Sequence, residues 1–236
     1  MKTTNLSFFL IIMIFLLLGG CSAQTLRISS QPGAGIYEHL YELEKSSIDI
    51  AYVDPTVDYK RYAKVLVQPL NFDKMEIIQP SQILTRLYRS KFELDDNDKA
   101  EIDKRYKSAM VEYLQDRGSF TIVDRPGQDV LILSVAVLKI EPNAPKDDFR
   151  SREPGYVVYT EGAGSMTVSA VLSDSVSGKP VAMMEDTKGR NDMWGINNRV
   201  TNLADVSIMF SSWARMLNSS LERLRNIQFN IDTGKN

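Results

Sequence analysis

Thiols and imidazoles are nearly missing from this 236-residue chain: Cys21 is its one cysteine and His39 its one histidine. No internal disulfide can form, so packing alone must hold the fold, and a zinc site built from Cys and His lacks its donors. An excess of either charge is missing too. Lysine and arginine total 28 against 30 aspartates and glutamates, a net charge of −2 at pH 7, with no polybasic stretch. Nucleic-acid binding calls for a basic face of phosphate contacts, so no nucleic-acid partner is expected. Nor is there an apolar run of the about 20 residues that a membrane-crossing helix needs. The longest, Leu6 to Leu18, is interrupted by Ser7 and follows the positive Lys2. That length and those flanks predict a signal peptide over residues 1–20.

What is present begins where that run ends. Leu18, Gly19 and Gly20 stand directly before Cys21. This stretch resembles the lipobox of bacterial lipoproteins, in which a leucine and two small residues precede the processed cysteine. The resemblance implies thioether-linked diacylglycerol on Cys21, removal of residues 1–20 and acylation of the new amino terminus. One acyl chain gives only marginal binding at about 0.8 kcal/mol per buried CH₂, so two or three chains make a stable anchor. Residue 22 is Ser rather than Asp, which by the family's sorting rule implies the outer membrane, periplasmic face, with the membrane itself as first partner.

Along the chain, residues 21–51 read as the lipidated cysteine and a tether. "SAQTLRISSQPGAG" is polar and aperiodic, and Ile36, Leu40 and Leu43 suggest a short helix within it. Such a composition buries too little to offset ordering entropy. Residues 52–230 read as one globular domain, followed by a polar tail over 231–236. Its elements are a strand in "AKVLVQPL", a helix from Asp96 to Arg117 with acids crowding its start, and a strand in "SFTIVD". "DVLILSVAVLKI" is apolar on both faces: Leu131, Leu133, Val135 and Val137 on one, Ile132, Ala136, Leu138 and Ile140 on the other. That predicts an interior strand covered on each side. "GSMTVSAVLSDS" alternates and "VSGKP" turns it into "VAMMEDTKG", a hairpin. The last helix is expected from Leu203 to Asn226, capped by Asn202, with Leu203, Val206, Phe210, Trp213, Leu217, Leu221 and Leu224 as its stripe. Tyr156 to Glu161 is left unassigned. The fold class is α+β in the order β-α-β-β-β-β-α: a mixed, mainly antiparallel sheet with two long helices packed on it.

"YVDPTVDYKRYAKVLVQPL" adds a second resemblance, carried by Tyr52, Pro55, Asp58, Tyr62 and Pro69. With Val123 to Pro142, the "LSDSVSGKPVA" hairpin and the closing Trp-containing helix, it is similar to a bacterial lipoprotein family known as domain of unknown function 3313. These motifs are structural. The resemblance implies a fold and brings no activity, cofactor or catalytic residue with it.

The residues themselves offer little chemistry. His39 falls in the expected tether, far from any candidate serine. Ser165 in "GAGSM" lacks the G-x-S-x-G frame of a nucleophile elbow, since Ala163 and Thr167 stand where glycines should be. "DDNDKAEID" fails as a calcium loop, with Ala100 at the sixth place and Tyr106 at the twelfth, and its acids suit a helix start instead. Asp147 and Asp148 sit in a proline-rich loop. No metal ligand and no cofactor site is expected. The stretch "GRNDMWGINNRVTN" differs: Trp194, flanked by Arg190 and Arg199, joins the residue types enriched at binding hot spots on one long connection. These three are the candidate contacts for an envelope protein partner. A buried Trp194 covering the sheet edge is the competing reading. Two function classes follow: a lipid-anchored, non-enzymatic binding or accessory module of the envelope, or an envelope hydrolase of peptidoglycan or lipid working through Asp and Glu alone. A flat apolar patch favours the first and a pocket with two converging carboxylates the second.

Overall fold

The computed structural model describes residues 28–44, 46, 48–80, 91–144, 159–190 and 194–227. Cys21 and its leader, Asp147, Asp148 and the tail over 231–236 lie outside the described residues. Eleven strands occur among the described residues: β1 Ile28–Pro32, β2 Tyr41–Leu43, β3 Ile50–Val53, β4 Lys64–Val67, β5 Glu76–Ile77, β6 Thr121–Val123, β7 Val130–Pro142, β8 Tyr159–Glu161, β9 Gly164–Asp174, β10 Pro180–Arg190 and β11 Trp194–Ile196. The helices are α1, Asp96–Met110, and α2, Arg199–Asn226. Nine strands make one sheet in the order β1-β2-β3-β10-β9-β7-β4-β6, with β5 beside β7. It is antiparallel except where β4 pairs with β6 and β7, and β5 with β7. The expected α+β class and the expected order of long elements both hold.

The strongest sequence patterns fold as their periods demand. β7 is interior, hydrogen-bonded to β9 on one side and β4 on the other. Leu131, Leu133, Val135 and Val137 are buried toward the helices, while Ile132 and Ala136 on the reverse face are only half-buried. The expected cover on both faces is thus corrected to cover on one. Ile140 is corrected as well: the register slips between Val137 and Lys139. The extra residue at Leu138 flips the alternation, because one inserted residue inverts the side-chain parity of a strand. Ile140 therefore joins Val137 in the core, opposite Met166 of β9.

Both helices pack against that inner face. α1 starts with a capping box in which the Asp95 carboxylate accepts from Asp98 N–H at 2.9 Å and the Asp98 carboxylate accepts from Asp95 N–H at 3.1 Å. The crowded acids thus satisfy orphan amides, as their place near the positive helix end favours. The expected helix to Arg117 is α-helical only to Met110, after which Val111–Asp116 forms a π-helical segment. α2 begins four residues earlier than expected. Asn198, not Asn202, is the N-cap, accepting from Val200 and Thr201 N–H, and Thr201 completes the box. Asn202 donates instead to the Asn197 side chain at 2.8 Å. Phe210, Trp213, Leu217, Leu221 and Leu224 are buried as the stripe predicts, whereas Leu203 and Val206 are half-buried. Tyr106, Phe210 and Trp213 form an aromatic run with centroid separations of 5.6 Å at each step, a geometry aromatic pairs prefer.

The expected tether requires the largest correction. From Ile28 onward it is sheet: β3 pairs with β10, β2 with β3, and β1 with β2. The expected short helix is a 3-10 turn over Gly35–Tyr37 followed by β2, and Leu40 is fully buried. His39 is no solvated linker residue, since its Nε2–H donates to the Pro180 carbonyl at 2.7 Å. Strands of three to five residues satisfy their backbone through their neighbours and need few apolar side chains each, so composition hides them.

Candidate interaction face around Trp194

β8 and β11 pair with each other outside the large sheet, with Trp194 opposite Glu161, Gly195 opposite Thr160 and Ile196 opposite Tyr159. Residues opposite one another, or two apart along a strand, share a face. One face of this ribbon therefore carries Tyr159, Trp194, Ile196 and Glu161, and the other carries Thr160. The first is turned to solvent: Trp194 is 71% exposed, Tyr159 58% and Ile196 44%, with Val200 at 78% on the next turn of chain. Thr160 is buried. The competing reading of Trp194 as a packed cover is therefore set aside.

The ribbon is held in place from beneath. Asn143, just past β7, donates its side-chain N–H to the Glu161 carbonyl at 2.6 Å, and Ala163 N–H donates to the Asp205 carboxylate at 2.9 Å. The Thr201 hydroxyl donates to the Ile196 carbonyl at 2.6 Å, tying the ribbon to the first turn of α2. Gly164 has φ +114, and a Cβ there would sit 2.0 Å from the Glu141 carbonyl oxygen. Only glycine permits both that backbone and that approach. Of the three residues singled out by sequence, Trp194 opens β11, Arg199 is exposed at the first position of α2, and Arg190 closes β10 opposite Gly164. All three lie at one end of the sheet. Tyr159, Ile196 and Val200 were missed; the alternation in "YTE" and "WGI" was the available signal, too short to separate from a loop.

Beside the ribbon, Phe92, Leu94, Ile102, Ile140, Met166 and Leu203 line an apolar cleft of about 840 Å³, mouth included. Asp98 is the carboxylate among its described residues, and it serves the α1 cap. A second cleft of about 720 Å³, between β3, β10 and the far half of α2, has Glu44 as its described carboxylate. Neither brings two carboxylates together among the described residues.

The opposite sheet end is built from satisfied charge. Asp54 pairs with Lys179 at 2.8 Å and accepts from the Thr56 amide and hydroxyl. Asp174 accepts from Ser177 N–H, the Ser177 hydroxyl, Tyr62 and Arg61. Burial by itself would raise the Asp174 carboxyl, but the Ser177 hydrogen bonds, the Tyr62 hydrogen bond and the Arg61 charge together hold it down at about 2. Asp54 is likewise lowered, its burial outweighed by Lys179 and Thr56. The third buried carboxylate, Asp186, accepts from the Trp213 indole N–H at 2.8 Å and pairs with Lys188 at 3.0 Å. Each of these carboxylates is committed to holding a turn or helix in place. No group of three metal-ligating side chains occurs among the described residues, and no described helix is long and apolar enough to cross a membrane.

Fold and face together define an α+β domain that presents an aromatic ribbon at one end of its sheet. The chain belongs to the family described as Protein of unknown function (DUF3313), whose model matches residues 30–217. That span takes in β2 and β3, so the family domain includes the stretch expected to be a tether. A comparison with curated proteins finds no match. Among solved structures, protein XCC0632 from Xanthomonas campestris, of family-model DUF330, is 12% identical with a TM-score of 0.41, over 69% of this chain and 85% of that one. The PelC dodecamer from Paraburkholderia phytofirmans is 13% identical with a TM-score of 0.32, over 83% of this chain and 99% of that one. Likeness at this level carries nothing about activity.

Proposed function

We propose that this chain is a lipid-anchored lipoprotein of the outer membrane, facing the periplasm, that works as a non-enzymatic binding or accessory module. The anchoring half rests on the "LLLGGC" stretch and Ser22. The binding half is supported by one observation: an exposed aromatic and aliphatic face on a ribbon tied down by side-chain hydrogen bonds. An exposed apolar patch of this kind, rimmed by polar residues, marks an interaction surface more often than it serves folding. The hydrolase reading would need two carboxylates free to act on one bond. Asp54, Asp174 and Asp186 are instead each engaged in structural pairs.

Replacing Cys21 tests the reading. Cys21→Ala should abolish incorporation of labelled acyl chains and leave an unprocessed or mislocalised precursor on envelope fractionation. Normal processing with unchanged membrane association would overturn the lipoprotein assignment.

A further inference from the structure

We infer that the Tyr159, Trp194 and Ile196 face is a lipid-seating surface: it lies in the headgroup layer of the leaflet in which Cys21 is proposed to be anchored. The inference deepens the function proposed above and takes its orientation from that anchor. The first support is chemical. Tyr and Trp combine an apolar ring with a hydrogen-bonding tip, which favours the membrane–water boundary over either phase, and Ile196 adds hydrocarbon. Arg199, exposed at the start of α2, offers a cation to lipid phosphates at the rim. Glu161 shares the face and is exposed, so its carboxylate remains at the wet edge.

The second support is topological. β3 runs antiparallel to β10 with Ile50 opposite Glu185, so the start of β3 points toward Arg190. β2 is antiparallel to β3, and β1 to β2, with Ile28 opposite Leu43. Two reversals leave Ile28 level with the middle of β10 and turn the start of β1 toward the sheet end that carries Arg190 and Gly164. By these registers Ile28 is level with Met184, and from Met184 to Arg190 the strand covers about 20 Å. The chain from Cys21 to Ile28 can span up to about 24 Å when extended. An anchor at Cys21 can therefore reach the level of Arg190, four residues before Trp194, so the anchor and the ribbon can meet one leaflet. A protein partner on this face would carry no such requirement that the anchor emerge beside it.

The test uses the purified chain from Ser22 onward, which retains every described element, so lipidation plays no part in it. It is mixed with vesicles of phosphatidylethanolamine and phosphatidylglycerol, with and without brominated acyl chains. Trp213 is buried and hydrogen-bonded, so a lipid-dependent blue shift and bromine quenching should come from Trp194 and vanish in Trp194→Phe. The double variant Trp194→Ser with Ile196→Ser should lose about tenfold or more in vesicle partitioning, with an unchanged melting temperature. No lipid-dependent change in the parent protein, or full binding by the double variant, would overturn the inference. So would a photocrosslinker at position 194 that, in intact cells, captures a protein in place of phospholipid. Should vesicle binding occur while Cys21→Ala is processed normally, the lipid-seating face stands and the anchor assignment alone falls.

Discussion

The two tryptophans of this chain solve opposite problems, one inside the core and one on the ribbon at a sheet end. Trp213 lies in the core at 2% exposure, with its ring against Phe210 and its N–H on Asp186. Trp194, at 71% exposure, stands on a ribbon whose backbone is tied down while its rings are left uncovered. Away from the ribbon, around Asp54 and Asp174, every buried charge meets a partner and the hairpin turn is locked by Ser177. Stability is concentrated where polar groups are satisfied and apolar ones covered; exposed hydrocarbon adds nothing to it. A tied-down backbone beneath an uncovered apolar face is the observation on which the proposed interaction surface rests.

The contrast can be broken most forcefully at Trp213. Trp213→Ala should cost about 3–5 kcal/mol, since it removes a fully packed ring and one of the hydrogen bonds to the buried Asp186 carboxylate. A thermal or urea melt reads this directly, and a near-native midpoint would mean the helices do not rely on that ring. At the ribbon's base, Gly164→Ala should cost about 1–3 kcal/mol from its backbone conformation alone, with more from the clash at the Glu141 carbonyl. The change should loosen amide exchange in β8 and β11 before it affects β7.

The charged end should respond to acid. The Asp174 carboxyl is held at about 2 in the folded chain against an ordinary 3.8. A lowered folded value stabilises above the unfolded one, so its contribution is complete above about pH 4 and disappears as the pH falls toward 2. Asp174→Asn should therefore lower the midpoint at pH 7 and make progressively less difference on acidification; a pH-independent gap between the two melts would rule out this account. The smallest effect belongs to Trp194→Ala, which should move stability by no more than about 0.5 kcal/mol. A large drop would make it a packing residue and remove the interaction face.

Legibility followed period in the long elements and a compact β-branched run in the short β4 and β6, read from "AKVLVQPL" and "SFTIVD". β7, β9 and the stripe from Phe210 to Leu224 are long enough for a period of two or of about 3.6 to emerge from the residues alone. β1, β2, β3, β8 and β11 are three to five residues each, too short for a period. Asn202 looked like the helix cap because it directly precedes the apolar stripe. The true cap, Asn198, is set by its reciprocal bond with Thr201, which serves the backbone and leaves the stripe untouched. Trp194 was singled out by residue type, and its exposure could be read only from the structure.

By itself the sequence determined the core: which faces of the long strands and helices are apolar, that an α+β sheet results, that charge is balanced, and which cysteine could carry lipid. These follow from local spacing, because burial acts on side chains whose direction the backbone period already sets. Tertiary structure alone decided that residues 28–53 complete the sheet, that Leu138 bulges and returns Ile140 to the core, and that the start of β1 points toward the sheet end where β10 leads to the ribbon carrying Trp194. Each depends on pairing between segments far apart in the chain, where one residue of register inverts inside and outside, and no local pattern encodes the register.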